Sequence, residues 1–343
     1  MRLLAGAAVA SVTPSKPPPL HGRRDFLEQA AWLPLAAATG LSLGGQSAMA
    51  AAPITRAGGA HLKTALNAYS FADLLTANLK DRGKGLDLFQ LCDYCAEQGF
   101  EAVDLTGYFF NGYPGVPEDS YLYAIKRHAF DRGLAISGTG VRNDFTSADK
   151  AVRSEGVQRV KAWIEVAARL GAPVVRVFVD SQPPFKNWRE ASQNAPRDSV
   201  EGWVAEAVRE CAEHGQRLGV IAGVQNHGDF VTTGAEHLEL LERVNHAWCG
   251  AIVDTGKYIS ADPYDDIAFM APHAVNWQVK ESPFGRPDPP RTDMRKLVTI
   301  IRRSGYRGYV PIETLAMGRK DYDPYAEAAR MLADFREAVA ATA

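Results

Sequence analysis

Two carboxylates and two amides stand where four successive apolar segments of the chain give way to polar sequence. They are Gln225, Asp254, Gln278 and Glu313. If these segments are neighbouring parallel strands of a closed sheet, their carboxyl ends meet at one mouth and bring the four side chains together. Two anions at close range are costly unless a cation or a proton joins them, so the set predicts a bound cation.

The oxygens of this set also indicate which cation to expect. Carboxylate and amide oxygens are hard ligands, which favour Mn²⁺ foremost, with Mg²⁺, Co²⁺ or Zn²⁺ as alternatives. One divalent metal ion is therefore the predicted cofactor. The alternative is internal: Asp254 and Glu313 would pair with Lys257, Lys280 or Arg176 in a buried polar network.

Two further groups beside this set could move protons or hold a substrate. His227 lies two residues past Gln225, and the ordinary pKa of histidine suits acid–base work near neutral pH. Lys280 lies two residues past Gln278 and could hold a substrate oxygen or an enediolate. A structural histidine, and a salt bridge from Lys280 to Glu281 or Glu313, are the alternatives. We predict Glu313, His227 and Lys280 as catalytic residues.

Three residues on the first four strands are candidates for substrate binding. Arg176 lies inside the apolar run VVRVF at 174–178, where an arginine needs a partner. Asn67 and Asp104 face inward by alternation with Ala65 and Ala102 and could bind hydroxyl groups. For Asp104 a structural role is the alternative.

The elements that would position these residues repeat one unit, a short apolar run followed by a loop and an amphipathic helix. The predicted strands are residues 64–69, 102–106, 135–139, 174–178, 220–225, 251–254, 275–279 and 308–312. Eight such units in this length predict an α/β protein with a (β/α)₈ TIM barrel. A doubly wound dinucleotide-binding sheet is disfavoured, because no G-x-G-x-x-G opens a helix. Residues 181–198 and 108–120 are predicted to be long loops at the barrel mouth.

Four segments at the ends of strands 5 to 8 carry a family resemblance. They are GVQNHG at 223–228, VDTG at 253–256, WQVKE at 277–281 and GYVPIET at 308–314. With these segments, the span from about residue 62 to 340 resembles the sugar phosphate isomerase/epimerase family, which has a xylose isomerase-like barrel. The resemblance implies an isomerase or epimerase that acts on a small carbohydrate.

The resemblance also implies a metal set of Glu, Asp, His and Glu on strands 5 to 8. Asp254 and Glu313 match it, whereas Gln225 replaces the first Glu and Gln278 replaces the His. Epimerases of this family place a base on strand 5 and another on strand 8, and a glutamine cannot accept a proton as a base. We therefore expect one-base chemistry, in which Glu313 removes a proton beside a carbonyl and the metal stabilises the enediolate. His227 is the candidate for returning a proton.

Because Gln225 and Gln278 depart from the metal set of the family, other functions stay open. A keto-sugar dehydratase or keto-glycoside lyase could use the same barrel and the same base. A non-catalytic sugar-binding barrel is the alternative from a different class. A homo-oligomer is also left open.

The composition limits the partners. The chain has 343 residues, a formal net charge of −2 and 46% hydrophobic residues. Nucleic acid and anionic membranes demand a clustered basic surface, which this balance disfavours. Four cysteines are too few for a disulfide scaffold.

Residues 1–50 resemble a twin-arginine export signal. Arg23 and Arg24 precede a mildly apolar stretch at 30–45, and Ala48-Met49-Ala50 is a small-x-small cleavage site. The apolar stretch is too short to span a bilayer as a helix. The signal predicts export of a folded protein to the periplasm or the extracellular space. The remaining residues 51–343 would form a single barrel domain, with the barrel proper at about 62–340.

Overall fold

Each short apolar run of the sequence becomes a parallel strand. The computed structural model describes residues 52–283 and 290–342, and its strands in those residues are β1 (His61–Asn67), β2 (Ala102–Thr106), β3 (Ala135–Gly140), β4 (Val174–Phe178), β5 (Ile221–Gln225), β6 (Cys249–Asp254), β7 (Ala274–Gln278) and β8 (Arg307–Ile312). All eight predicted strands are present, and each observed bound lies within three residues of its predicted one. The strands are rich in Val, Ile and Ala, as strands buried on both faces require.

The sheet closes through backbone contacts just past β7. The ladder runs β7-β6-β5-β4-β3-β2-β1-β8, and Val279 forms a parallel bridge with Ile312. The Val279 N–H donates to the Pro311 carbonyl at 2.8 Å, and the Glu313 N–H donates to the Val279 carbonyl at 2.9 Å. The predicted (β/α)₈ barrel is therefore confirmed, and this closure distinguishes it from an open doubly wound sheet.

Helices surround the barrel in the described part of the chain. They are α1 (Ala72–Lys80), α2 (Leu88–Gln98), α3 (Asp119–Asp131), α4 (Lys150–Leu170), α5 (Trp188–Ala191), α6 (Arg197–Leu218), α7 (Gly234–Val244), α8 (Pro263–Met270), α9 (Met294–Arg303) and α10 (Pro324–Ala341). Short 3₁₀ turns at Ala68–Phe71 and Gly107–Phe109 follow β1 and β2 directly. These turns lead the chain from the strand ends into the loops at the mouth.

The region predicted to be a long loop after β4 is more ordered than expected. It contains α5, and α6 already begins at Arg197. Asn187 accepts a hydrogen bond from the Glu190 N–H at 2.9 Å and so caps α5, and Trp188 is buried against Phe230. A buried tryptophan and a capping asparagine are enough to form one helical turn within a polar stretch.

The predicted export signal at 1–50 lies outside the described residues and stays a prediction. Within residues 52–283 and 290–342, none of the helices combines the length and the apolar character needed to cross a bilayer.

Trp163 on α4 supports the loop that follows β2. Its side chain is fully buried, with ring centroids 5.4 Å from Phe110 and 5.8 Å from Tyr113. Tyr113 in turn packs on Tyr108 at 5.5 Å. The loop position at the mouth therefore depends on one large core side chain.

We expect Trp163→Ala to lower the free energy of unfolding by about 3–5 kcal/mol, since it removes buried area and leaves a cavity. Phe130→Ala is the matched control, because this aromatic side chain is 75% exposed and its loss should change stability by less than about 0.5 kcal/mol. Urea unfolding of both variants measures the difference. Equal effects of the two substitutions would contradict this view of the loop.

Candidate active site

A cavity of about 720 Å³ opens at the carboxyl ends of the strands. This is the face of a barrel where loops and strand ends can converge on a ligand. Its lining includes several of the residues predicted from the sequence, namely Arg176, Gln225, His227, Lys280 and Glu313.

A buried lysine joins the two carboxylates of the predicted metal set. Lys280 Nζ lies 2.6 Å from Glu313 Oε1 and 3.5 Å from Asp254 Oδ2. Asp254 is fully buried, and Lys280 and Glu313 are only 5% and 6% exposed. Burial opposes the charge of the lysine, but the two carboxylates outweigh it and hold the pKa of Lys280 above its usual value. The three side chains therefore form one charged cluster, of which Lys280 and Glu313 line the cavity.

Asp254 is held by its neighbours on β5 and by its own turn. Gln225 Nε2 donates to Asp254 Oδ2 at 2.7 Å, and the Gly256 N–H donates to Oδ1 at 3.0 Å. The Asn226 side chain makes two hydrogen bonds to the backbone of Asp254. Its Nδ2 donates to the Asp254 carbonyl at 2.9 Å, and its Oδ1 accepts from the Asp254 N–H at 2.8 Å. Both carboxylate oxygens are thus engaged by donors of this chain.

Lys280 is positioned by the turn that follows β6. Its backbone N–H donates to Thr255 Oγ1 at 2.9 Å. A Cβ added at Gly256 would lie 2.8 Å from Lys280 Cγ, so only glycine leaves room for the lysine stem. The sequence D-T-G at 254–256 therefore supplies a carboxylate, a hydroxyl acceptor and the space for the ammonium chain.

Gln278, the fourth predicted ligand, is the register partner of Asp254 across β6 and β7. Among the described residues, its Oε1 and that of Gln225 are buried side-chain oxygens with no hydrogen-bond partner. Of the four predicted metal ligands, these two therefore present amide oxygens that are still free to bind an ion within the described part of the chain.

The rest of the set does not fit a resident divalent ion. Both carboxylates already pair with the Lys280 ammonium, and Gln225 turns a donor, not its oxygen, toward Asp254. A divalent ion among these groups would meet the Lys280 ammonium, which lies 2.6 Å from Glu313 and 3.5 Å from Asp254, and the two cations would repel. In residues 52–283 and 290–342, no group of three or more His, Cys, Asp or Glu side chains is arranged to hold a metal.

Arg176, on β4, lines the same cavity as Lys280 and Glu313. Its Nη2 donates to the Tyr108 hydroxyl at 2.8 Å, and its guanidinium stacks over the Phe178 ring at 4.7 Å. Its Nε is buried without a hydrogen-bond partner, and its charge interacts with both Glu313 and Asp104. Arg176 therefore places an unused donor beside the anionic side of the site.

Asn67 and Asp104 are buried but are not among the residues that line the cavity. Asn67 Nδ2 donates to Asp104 Oδ1 at 3.3 Å, and Asn276 Nδ2 donates to Oδ2 at 3.4 Å. Burial raises the pKa of Asp104 to about 6, although Arg176 acts to lower it. Asn67 Oδ1 also accepts from the Tyr69 N–H at 2.8 Å and from the Thr106 hydroxyl at 3.3 Å. The predicted contact of Asn67 and Asp104 with substrate stays a prediction.

His227 forms a pair with an acidic residue that the sequence analysis missed. Its Nδ1 lies 2.9 Å from Asp180 Oδ2, and its ring packs on Phe178 with centroids 4.5 Å apart. The His227 side chain is 32% exposed and that of Asp180 only 8%. A signal was present in the sequence, because Asp180 follows β4 by two residues and so belongs to a strand end. Tyr108 is the first residue of the predicted loop at 108–120, and its hydroxyl contact with Arg176 was missed.

The fold agrees with comparisons to known proteins. The model of the xylose isomerase-like TIM barrel family matches residues 92–335. None of the curated protein sequences compared with the chain is similar enough to count as a relative.

Solved structures share the fold at low sequence identity. A D-psicose 3-epimerase from Clostridium cellulolyticum H10 is 15% identical, with a TM-score of 0.63 over 82% of this chain and 98% of that one. A D-allulose 3-epimerase from Methylomonas sp. is 14% identical, with a TM-score of 0.64 over 81% and 98%. A 3-keto-D-glucoside 4-epimerase from E. coli is 14% identical, with a TM-score of 0.60 over 81% and 99%. At these identities the likeness shows the fold alone.

The raised pKa of Asp104 predicts a pH dependence of stability. The native state holds the proton more tightly than the unfolded chain, so stability should fall as the pH rises from about 4, near the usual pKa, through about 6. We expect this group to account for a loss of roughly 2–3 kcal/mol across that window. Asp104→Asn should remove this part of the slope, measured by urea unfolding of both proteins at several pH values. Identical slopes would refute the assignment.

Proposed function

The chain belongs to the xylose isomerase-like TIM barrel family, and on that premise we propose that it is an enzyme of the sugar isomerase or epimerase kind. Its substrate is a small carbohydrate, and its reaction moves a proton on a carbon next to a carbonyl. The observation that carries this proposal is the Glu313 carboxylate at the cavity wall, bonded to the Lys280 ammonium.

Glu313 is the base in the proposed reaction. The bond between hydrogen and the carbon next to the carbonyl breaks, and the proton goes to the carboxylate. The electron pair of that bond forms a C=C bond, and the carbonyl π pair moves onto oxygen to give an enediolate. Lys280 stabilises the new oxyanion as a buried hydrogen-bond donor, which counts for more here than in water.

Gln225 makes a second carboxylate base on β5 unavailable. It lines the cavity, but its amide cannot take a proton and donates to Asp254 instead. A symmetrical exchange between two carboxylates is therefore disfavoured, and a proton must come from another group. His227 lines the same cavity and is that group in our proposal.

Asp180 fixes how His227 exchanges protons. A carboxylate only accepts hydrogen bonds, so Nδ1 carries the proton that bonds to Asp180 at 2.9 Å. Nε2 is then left to give or take a proton, as in other histidines oriented by a carboxylate. The imidazolium form of His227 gives its Nε2 proton to the neighbouring carbon of the enediolate. The hydroxyl proton on the first carbon moves to the oxyanion as that hydroxyl becomes the new carbonyl, and Glu313 then loses its proton to solvent while His227 takes one up. Protons are conserved over the cycle, so the isomerisation needs no external oxidant or reductant.

The lining suits a carbohydrate. Charged and amide groups lie on the side of Gln225, Lys280 and Glu313, while Tyr108 and Phe178 supply aromatic faces. Sugars combine hydroxyl groups with apolar ring or chain faces, which such mixed pockets accommodate. The solved neighbours named as psicose, allulose and keto-glucoside epimerases support this substrate class.

Glu313→Gln should reduce turnover by roughly 10²–10⁴-fold, since it removes the base while keeping the shape of the side chain. The measurement is proton NMR of ketoses in D₂O, which follows deuterium entering beside the carbonyl. Glu210→Gln is the control, because Glu210 is an outer residue paired with Lys161. A fully active Glu313→Gln enzyme contradicts the proposal. Sugar binding by the wild type with no exchange for any ketose would point to the non-catalytic barrel instead.

His227→Asn should separate the two proton transfers. Deuterium should still enter the substrate, since Glu313 is intact, but formation of the isomer should fall by roughly 10²-fold. The same NMR experiment gives both rates from one sample. Equal loss of exchange and product would place His227 in the first proton transfer and overturn its proposed role.

A further inference from the structure

We propose that the ammonium of Lys280 is the resident cation of this active site, in place of the divalent metal ion predicted from the sequence. It joins the two buried carboxylates directly, at 2.6 Å from Glu313 and 3.5 Å from Asp254. Its part in stabilising an enediolate rests on the proposed function, whereas its part as the structural cation does not.

The local structure is built around this side chain. Gly256 leaves the space that the Lys280 stem occupies, with an added Cβ only 2.8 Å from Cγ. Thr255 accepts the Lys280 N–H, and the Thr255 N–H donates to the Gln278 carbonyl at 3.0 Å. The lysine is thus fixed by the turn after β6 and by the strand that carries it.

The charges around the cluster also agree with a monovalent cation. Asp254 and Glu313 carry two negative charges, and Lys280 and Arg176 both interact with Glu313. A carboxylate at position 225 would stand against Asp254, whereas the amide of Gln225 donates to it at 2.7 Å. A neutral donor at this position suits a site with a single positive charge at its centre.

An ammonium can also follow the charge through the proposed reaction. When Glu313 takes the substrate proton it becomes neutral, and the negative charge appears on the substrate oxygen. Lys280 lines the cavity and has three N–H donors, so it can pair with the carboxylate before the transfer and with the oxyanion after it. The net charge of the site stays constant, which avoids the cost of an unpaired buried charge.

Mn²⁺ titration of the wild-type protein after chelation tests the proposal without any substrate. A metal bound only by the native state raises the melting temperature, and the stabilisation grows with the logarithm of the metal concentration once this exceeds Kd. We expect no bound metal by elemental analysis and no change of melting temperature at millimolar Mn²⁺. One tightly bound equivalent of Mn²⁺ with a raised melting temperature would overturn the proposal.

Lys280→Met removes the cation and keeps the apolar stem. We expect this variant to melt at a lower temperature than the wild type, because two carboxylates are then buried together, and to regain stability on addition of Mn²⁺. Lys257→Met is the matched control, since Lys257 lines the same cavity, and its response to Mn²⁺ should equal that of the wild type. A Lys280→Met protein as stable as the wild type and indifferent to Mn²⁺ would contradict the proposal.

A double variant covers the case in which Lys280→Met does not fold. Lys280→Met combined with Glu313→Gln leaves Asp254 as the one carboxylate of the cluster, still bonded by Gln225 and Gly256. It should fold and melt above Lys280→Met. A double variant no more stable than Lys280→Met would show that charge repulsion is not the cause, and would overturn the proposal.

Activity separates this inference from the proposed function. Deuterium exchange that survives chelation supports both, and exchange that is lost on chelation and restored by Mn²⁺ overturns the inference alone. If the wild type binds no Mn²⁺, if Lys280→Met shows the expected loss and if no ketose exchanges, the proposed function fails while Lys280 remains the structural cation.

Discussion

The pairing of one buried ammonium with two buried carboxylates is the constraint on which the site depends. Lys280, Asp254 and Glu313 are at most 6% exposed, and none of them could keep its charge alone at such burial. Removing one partner of a buried ion pair typically costs about 3–5 kcal/mol, because the other charge is left uncompensated. In the proposed function, the same pairing gives the cavity both a base and a donor for an oxyanion. Stability and the proposed chemistry therefore depend on one interaction.

The barrel provides the geometry for this pairing. Val279 forms the bridge that closes the sheet, and Lys280 follows it directly, while Glu313 follows the last residue of β8 and bonds to the Val279 carbonyl. The closure and the ion pair thus share the same few residues. Directly after β5, Asn226 bonds to both the N–H and the carbonyl of Asp254. Small errors in strand register would separate the three charges, because successive side chains point to opposite faces.

The fold and the meeting of these residues could be predicted from the sequence, because apolar runs followed by polar residues mark the carboxyl ends of barrel strands. The choice between a metal ion and Lys280 could not be predicted. A divalent ion or an ammonium can each join two carboxylates, and the position of Lys280 between them depends on the space at Gly256 and on the path of the lysine stem. Asp180 was missed although it follows the end of β4 by two residues, because its pairing with His227 is a tertiary contact. The helix at Trp188–Ala191 was missed because its cap and its buried tryptophan depend on tertiary contacts.

The most direct measurement is a crystal structure of the wild-type protein grown with Mn²⁺, with data collected at the manganese absorption edge. The account predicts that Lys280 Nζ lies between Asp254 and Glu313, with no anomalous peak within reach of their oxygens. An anomalous peak bound by Gln225, Asp254, Gln278 and Glu313, with the lysine displaced, would contradict it.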